Sequence, residues 1–235
     1  MSLNSGIWVA LECSDRQARI AIKKGEEVIE CSLDEGQSQT THLIPVLKAT
    51  LEKHEIGPAS VEHLALNVGP GSAMGLRMGV VLAQGWSFVH PSVSVHAIPF
   101  EACAQQALLE WGKEGGASKA VLLADAFGGE VFLQEIERTG EAWELKGKML
   151  RHPRKVISSL RPPLRVLENL GPWKEKLDWH EELVTYSGKL PTAIQVLRAA
   201  LTGEFIQAIE DIDVRYLKPS SAELLWEKRQ SEKGS

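Results

Sequence analysis

The chain has 235 residues, 43% of them hydrophobic and 24% charged, with a formal net charge of −5. These values suit one large globular domain or two small ones, and the negative balance gives no footprint for direct nucleic-acid binding, which needs a basic face. No stretch reaches the roughly 18 apolar residues of a membrane span, and the opening MSLNSGIWVALECS lacks the basic region and long apolar run of a signal peptide, so neither is expected.

In chain order, GIWVALEC (6–13), ARIAIKK (18–24) and EEVIECSL (26–33) read as three short strands, the last two joined at the tight-turn residue Gly25. They predict an antiparallel start. SQTTHLIPVLKATLEKHEI (38–56) follows, with Leu43, Leu47 and Leu51 at four-residue spacing, an amphipathic helix with Pro45 near its beginning. VEHLALNV (61–68) is a strand and residues 72–89 a helix. SVSVHAI (92–98) is a strand, and PFEACAQQALLEWG (99–112) a helix opened by Pro99 and closed by Gly112. KEGGAS (113–118) links to a second strand-rich set, KAVLLADA, GEVFLQEIER and EAWELKGKML. A second domain is therefore expected to begin between residues 100 and 118. RHPRKVISSLRPPLR (151–165), the one locally basic stretch, reads as a solvated loop with a short helix. PTAIQVLRAALTG (191–203) is a helix marked by Pro at its first turn and Gly at its end, and the tail WEKRQSEKGS is polar and frayed. The mixture of strands and helices is an α/β pattern compatible with a ribonuclease-H-like domain, duplicated or not.

The cysteines Cys13, Cys31 and Cys103 are odd in number and far apart, the pattern of reduced thiols in a cytoplasmic protein. No spacing suggests a metal site. His90 and His96 are six apart in a loop-and-strand stretch, which does not place two imidazoles on one helical face.

The most informative segment is NVGPGSAMGLRMGVVLAQGW (67–86), where a strand runs through a glycine turn into a helix. Both phosphate fingerprints fail. The Rossmann form has Met74 in place of its third glycine, and the Walker form has Leu76-Arg77 after Gly75 instead of Lys and Ser or Thr. An anion at the free N–H groups of the helix start stays open, with Gly71 and Ser72 as its contacts and Ser72 as the cap. On the helix, Leu76, Val80 and Ala83 lie on one side, while Met74, Met78, Val81, Leu82 and Trp86 spread over the opposite arc. Arg77 and Gln84 mark a narrow polar strip. Gly71, Gly75, Gly79, Ala83 and Ser87 recur every fourth residue. Each interior glycine would cost an exposed helix roughly 1 kcal/mol against alanine. The ladder thus calls for a close backbone approach, either inside the chain's own domain or against a partner, and periodicity alone does not separate the two.

GPGSAMGLRMG (69–79) resembles the G-P-G-S-F-T-G-L-R-I-G signature of the TsaB family, also called YeaZ, bacterial proteins of tRNA threonylcarbamoyladenosine synthesis. IWVALECS (7–14), THLIPVLKATLEKHEI (41–56), LADAFGGEVF (123–132) and VRYLKPSSAE (214–223) are similar to further family segments in the same order, so the resemblance spans almost the whole chain. It implies a two-domain actin-like (ASKHA, ribonuclease-H-like) α/β fold. Residues 1–100 would form the first domain and 101–189 a second, smaller one, with the helix near 190–204 packed between them and 220–235 a tail.

The resemblance also implies a non-catalytic subunit of a tRNA-modifying complex. Family members bind the paralogue TsaD, which transfers threonylcarbamoyl to N6 of adenosine 37 in ANN-decoding tRNAs, and the assembly recruits the ATPase TsaE. Binding runs through the first two helices, here about 39–55 and 72–89. This mapping nominates His42, Leu43, Leu47, Leu51, Gly71, Gly75, Arg77, Met78, Gly79, Leu82, Ala83 and Trp86 as interface residues, and it makes the small-residue ladder a docking surface. The same helices can also form a homodimer. tRNA would be met only through the complex, no cofactor is intrinsic, and ADP or ATP at the partner interface stays open.

Three departures mark a divergent member. The family's Asp-Thr-Ser is Glu12-Cys13-Ser14, its Phe-Thr is Ala73-Met74, and the Arg of its Asp-Ala-Arg is Phe127. The alternative is a stand-alone actin-like nucleotide-binding enzyme, a kinase or hydrolase, including the glycoprotease activity for which relatives were named. No His-Glu-x-x-His or Gly-x-Ser-x-Gly motif supports it. Asp125 and Glu130 read as surface carboxylates flanking a turn.

Overall fold

The computed structural model describes residues 5–15, 17–111, 117–126, 129–162, 164–170, 183–185 and 190–214. Alternating apolar runs make the first three strands, β1 (Ile7–Glu12), β2 (Arg19–Lys24) and β3 (Glu27–Ser32). They form the antiparallel meander the sequence predicts, with Ala10 opposite Ala21 and Ile22 opposite Ile29. Helix α1 (Gln39–Lys53) follows, then β4 (Val61–Asn67), α2 (Ala73–Val89) and β5 (Ser94–Ile98). β4 joins β1 and β5 joins β4, both in parallel.

Helix α3 (Phe100–Trp111) leads to β6 (Lys119–Asp125), β7 (Glu130–Thr139), β8 (Ala142–Pro153), β9 (Arg165–Asn169) and β10 (Val184–Thr185). β6 pairs antiparallel with β7, and β7 with β8; β9 is parallel to β6 and β10 to β9. The second sheet, β8-β7-β6-β9-β10, thus repeats the order β3-β2-β1-β4-β5 of the first, strand for strand and direction for direction. This is the ribonuclease-H-like order, present twice. Helix α4 (Ala193–Ala200) and the short β11 (Ile206–Gln207), antiparallel to β5, return the chain to the first sheet.

The period of two along each strand sorts the core into layers. Val9 and Leu11 of β1, with Cys13 just after it, pack with Leu43, Leu47 and Leu51 of α1 and Leu76 and Val80 of α2. On the opposite face, Trp8 and Ala10 join a core built with α3 and α4. Ala120, Leu122 and Ala124 of β6 reach that same core from the second sheet, whereas Val121 and Leu123 face outward onto Ile157. The shared layer is rich in alanine, with Ala10, Ala21, Ala65, Ala120 and Ala124 under Ala102, Ala104, Ala107 and Ala199. Small side chains on both partners let two helices fit against two sheets with native packing density. The buried Arg165 sets its guanidinium 4.7 Å from the Trp111 ring and 5.8 Å from the Trp143 ring, within reach of a cation–π attraction.

Two departures from the sequence reading concern the second half. The stretch 151–165, expected as a loop with a short helix, supplies the end of β8, a 3-10 helix at Arg154–Ser159 and the first residue of β9. Pro191 lies before α4 and not in its first turn, where Thr192 caps the helix. The Gly112 helix stop, most of the 113–118 linker, Phe127 and the residues of 214–223 beyond Val214 lie outside the described residues, as does the 220–235 tail. Thr192 forms a complete capping box: its hydroxyl accepts from the Gln195 N–H at 3.1 Å, and Gln195 Oε1 accepts from the Thr192 N–H at 3.0 Å. Thr192→Ala is therefore expected to lower stability by about 1 kcal/mol, read from urea melts as a shifted midpoint with an unchanged slope.

Candidate functional site

Two turns meet where β1 ends and α2 begins. Glu12 closes β1 and is fully buried. Its Oε1 accepts the Ser14 N–H at 2.7 Å and the Ser14 hydroxyl, and its Oε2 accepts Asn67 Nδ2 at 2.7 Å. Asn67, the last residue of β4, in turn accepts the Gly69 N–H at 2.9 Å through Oδ1. The Ser72 N–H donates to the Ser14 carbonyl at 2.7 Å, and the Ser72 hydroxyl caps α2 by accepting the Gly75 N–H at 3.3 Å. Burial pushes the Glu12 carboxyl up to about 7, against the lowering effects of the Ser14 and Asn67 hydrogen bonds and the Arg19 charge. Burial also pushes the Cys13 thiol up, so it is not poised as a nucleophile.

This arrangement does not fit a phosphate. A cradle needs backbone N–H groups pointing into an open concavity. Here the N–H groups of Ser14, Gly69, Ser72 and Gly75 are all committed within the protein. The space is closed as well: a Cβ on Gly71 would stand 2.3 Å from Ser14 Cβ, and one on Gly75 would stand 1.9 Å from the Cys13 carbonyl oxygen. Gly71 and Ser72, expected as anion contacts, instead hold the start of α2 against the end of β1.

The same distances correct the reading of the glycine ladder. Gly75, Gly79 and Ala83 are buried and face β1 and β4, with the position of a Gly79 Cβ 3.9 Å from Cys13 Sγ. They pack inside the domain. So do Leu43, Leu47 and Leu51, all buried beneath α1. Gly75, Gly79, Ala83 and Leu43 are thus used in close packing inside the chain's own domain, and Gly71 packs against the turn at Ser14. His42 sits at the start of α1, its Nδ1 2.7 Å from Thr41 Oγ1, and Arg77 is exposed.

The surface of the two helices is made by other residues. Met74 and Val81 are each 59% exposed and Phe88 is 88% exposed, at seven-residue spacing along α2. Ile44 of α1 is 58% exposed. Between the helices runs an apolar groove of about 470 Å³. Of the expected interface residues, Leu47, Leu51, Met78, Leu82 and Trp86 line it. Ile44, Val81, Gly85 and Val89 line it too and were not nominated from sequence; of these only Val81 stood on the apolar arc of α2. Lys48, Glu52 and His90 stand at its edge.

The remaining candidates are occupied elsewhere. Asp125 pairs with Arg154 at 3.1 Å and Glu130 with Arg151 at 3.4 Å. His96 is buried beside His63, ring nitrogens 3.3 Å apart, and His63 stacks on Trp8 at 3.9 Å. Burial and the neighbouring His63 push His96 down to about 4. Among the described residues, no three His, Cys, Asp or Glu side chains come together as a metal site, and no helix is long and apolar enough to cross a membrane.

A duplicated ribonuclease-H-like sheet around shared helices defines an actin-like α/β protein. The family model described as tRNA N6-adenosine threonylcarbamoyltransferase matches residues 36–228, and the chain belongs to this family, on its TsaB (YeaZ) branch. The Haemophilus influenzae tRNA threonylcarbamoyladenosine biosynthesis protein TsaB is 26% identical over 236 residues, covering 94% of this chain and 95% of that protein. An uncharacterised Mycoplasma genitalium protein is 28% identical over 91 residues; that match covers 37% of this chain and spans 46% of the relative, less than half its length. The solved structure of YeaZ from Pseudomonas aeruginosa superposes with a TM-score of 0.69 at 20% identity, covering 90% of this chain and all of that one, and so shares the fold. The chain's role accordingly lies in tRNA threonylcarbamoyladenosine biosynthesis.

The two buried glycines of α2 make opposite predictions. Gly75→Ala is expected to destabilise by about 1–3 kcal/mol through overpacking against a backbone oxygen. Gly79→Ala places its methyl at ordinary contact distance and is expected to be neutral or to stabilise by up to about 1 kcal/mol. Thermal melts of the pair separate inward packing from a free surface.

Glu12 and His96 give opposed pH dependences. Between about pH 4.5 and 7 native Glu12 keeps a proton the unfolded chain has released, so its contribution to stability is present below 4.5 and lost as pH rises. Between about pH 6.5 and 4 native His96 stays neutral while the unfolded ring protonates, so its contribution is present above 6.5 and lost as pH falls. Glu12→Gln is expected to unmask a melting temperature that climbs from pH 4 to 6.5, and His96→Gln one that declines from pH 4.5 to 7.

Proposed function

We propose that this chain is a non-catalytic subunit that binds a TsaD-type partner through the groove between α1 and α2, and so supports threonylcarbamoylation of N6 of adenosine 37 in ANN-decoding tRNAs. The observation that carries this reading is the groove itself. Ile44 of α1 and Val81 and Val89 of α2 expose large apolar side chains along it, and it is floored by Leu47, Leu51 and Leu82. A continuous apolar patch of this kind on a globular protein marks a docking surface. The family model and the Haemophilus relative support the pathway.

A non-catalytic role agrees with the closed turn at Glu12, Ser14 and Ser72, and with carboxylates already paired to arginines at Asp125 and Glu130. The wider assembly of this reading includes the ATPase TsaE, meets tRNA through the complex and works in the cytoplasm. ADP or ATP belongs, on this reading, to the partner interface and not to the turn after β1. A homodimer through the same groove is the competing state of the free subunit.

The test is co-purification with TsaD. Val81→Asp, a charge in the groove wall, is expected to abolish capture and to leave the melting temperature within about 2–4 °C of the parent, since the side chain is 59% exposed. ATP turnover by the isolated chain, with no capture of TsaD by the parent protein, would establish the stand-alone nucleotide enzyme instead.

A further inference from the structure

The groove depends on the angle between two helices, and both are tied at their N-terminal ends to one turn. Gln39, the first residue of α1, donates through Nε2 to the Asp15 carbonyl. At the start of α2, the Ser72 N–H donates to the Ser14 carbonyl at 2.7 Å. Gly75 lies so close to that turn that an added Cβ would meet both the Cys13 carbonyl, at 1.9 Å, and Gln39 Oε1, at 2.7 Å. Residues 13–15 therefore form a single seat in which α1 and α2 touch the end of β1.

What fixes the seat is Glu12. Its Oε1 holds Ser14 by both amide and hydroxyl, and its Oε2 holds Asn67, which holds the Gly69 amide in the loop entering α2. One buried carboxylate thus ties the turn after β1 to the turn before α2. The geometry points to Glu12 as a positioning residue for partner binding: its carboxylate sets the turn that sets α1 against α2, and so shapes a groove it does not touch. This rests on the reading of the groove as the partner's seat. Substitution by Gln keeps the shape but turns one acceptor into a donor facing Asn67 Nδ2, so the network must rearrange.

The experiment uses the full chain with three readouts: the melting temperature, the side-chain NMR signals of Met78 and Trp86 in the groove wall, and the affinity for TsaD by calorimetry. Thr192→Ala, on α4 across the sheet, serves as a variant that only loses stability. Glu12→Gln is expected to shift the Met78 and Trp86 signals of the folded protein and to weaken TsaD binding about tenfold. Thr192→Ala is expected to do neither. A Glu12→Gln protein that melts lower, yet keeps both signals and full affinity, would overturn the proposal and leave Glu12 a stabilising residue only. If the parent chain does not bind TsaD, the partner reading fails, while the NMR comparison in the free protein still decides whether Glu12 sets the groove. Should Glu12→Gln not fold, Glu12→Asp keeps the carboxyl group but shortens the side chain by one methylene, so the bonds to Ser14 and Asn67 must re-form; shifted Met78 and Trp86 signals support the inference, and unshifted ones sink it.

Discussion

A buried carboxylate loses its hydration and is tolerated only where the protein supplies replacement donors. Glu12 has no exposure to solvent and receives three, two from Ser14 and one from Asn67. Those bonds join the end of β1 to the end of β4, two parallel neighbours in the first sheet, just where each strand passes into the turn that follows it. The glycines of the second turn can approach because they have no Cβ, and the backbone of Cys13 and Ser14 fills the space they leave. The closeness of this contact decides where α2 lies, and α2 exposes Met74, Val81, Phe88 and Val89 to solvent.

The outcome is a helix with two unlike faces. Inward, Gly75, Gly79 and Ala83 let it sit low on β1 and β4, where a helix of larger side chains would be held off the sheet. Outward, Met74, Val81 and Phe88 face solvent in line with one another. A glycine-rich face and an apolar face on one helix invite the inference that the glycines mark the interface, as they do where two helices cross closely. Here the glycines serve the fold and the bulky residues supply the surface.

In the actin-like class, the turn after the first strand is the place where a nucleotide's phosphates would be expected. In this chain the turn is used for support. The Ser14 amide is bonded to Glu12, that acid is fully buried, and the turn before α2 packs against Cys13 and Ser14. The second half repeats the strand order but has its own arrangement at the corresponding place, where Asp125 at the end of β6 is engaged by Arg154. A shared fold therefore constrains the shape of both halves without preserving the chemistry of the site.

Much of this was legible in the residues. The strand meander, the helices α1 to α4 and the mixed α/β class follow from apolar periodicity and from Gly and Pro at element ends, because local backbone preference and burial pattern agree there. The family likewise follows from the motif at 69–79, and the failure of both phosphate fingerprints could be read off Met74, Leu76 and Arg77. β9 and β10, the pairing of Asp125 with Arg154, and the direction in which the glycine ladder faces were not legible. A helical projection gives relative azimuths and no absolute orientation: it separates Gly75 from Val81 but does not say which meets the sheet. That choice is made by contacts distant in sequence, Gly75 against Cys13 and Ser72 against Ser14, which exist only once β1 and β4 lie side by side.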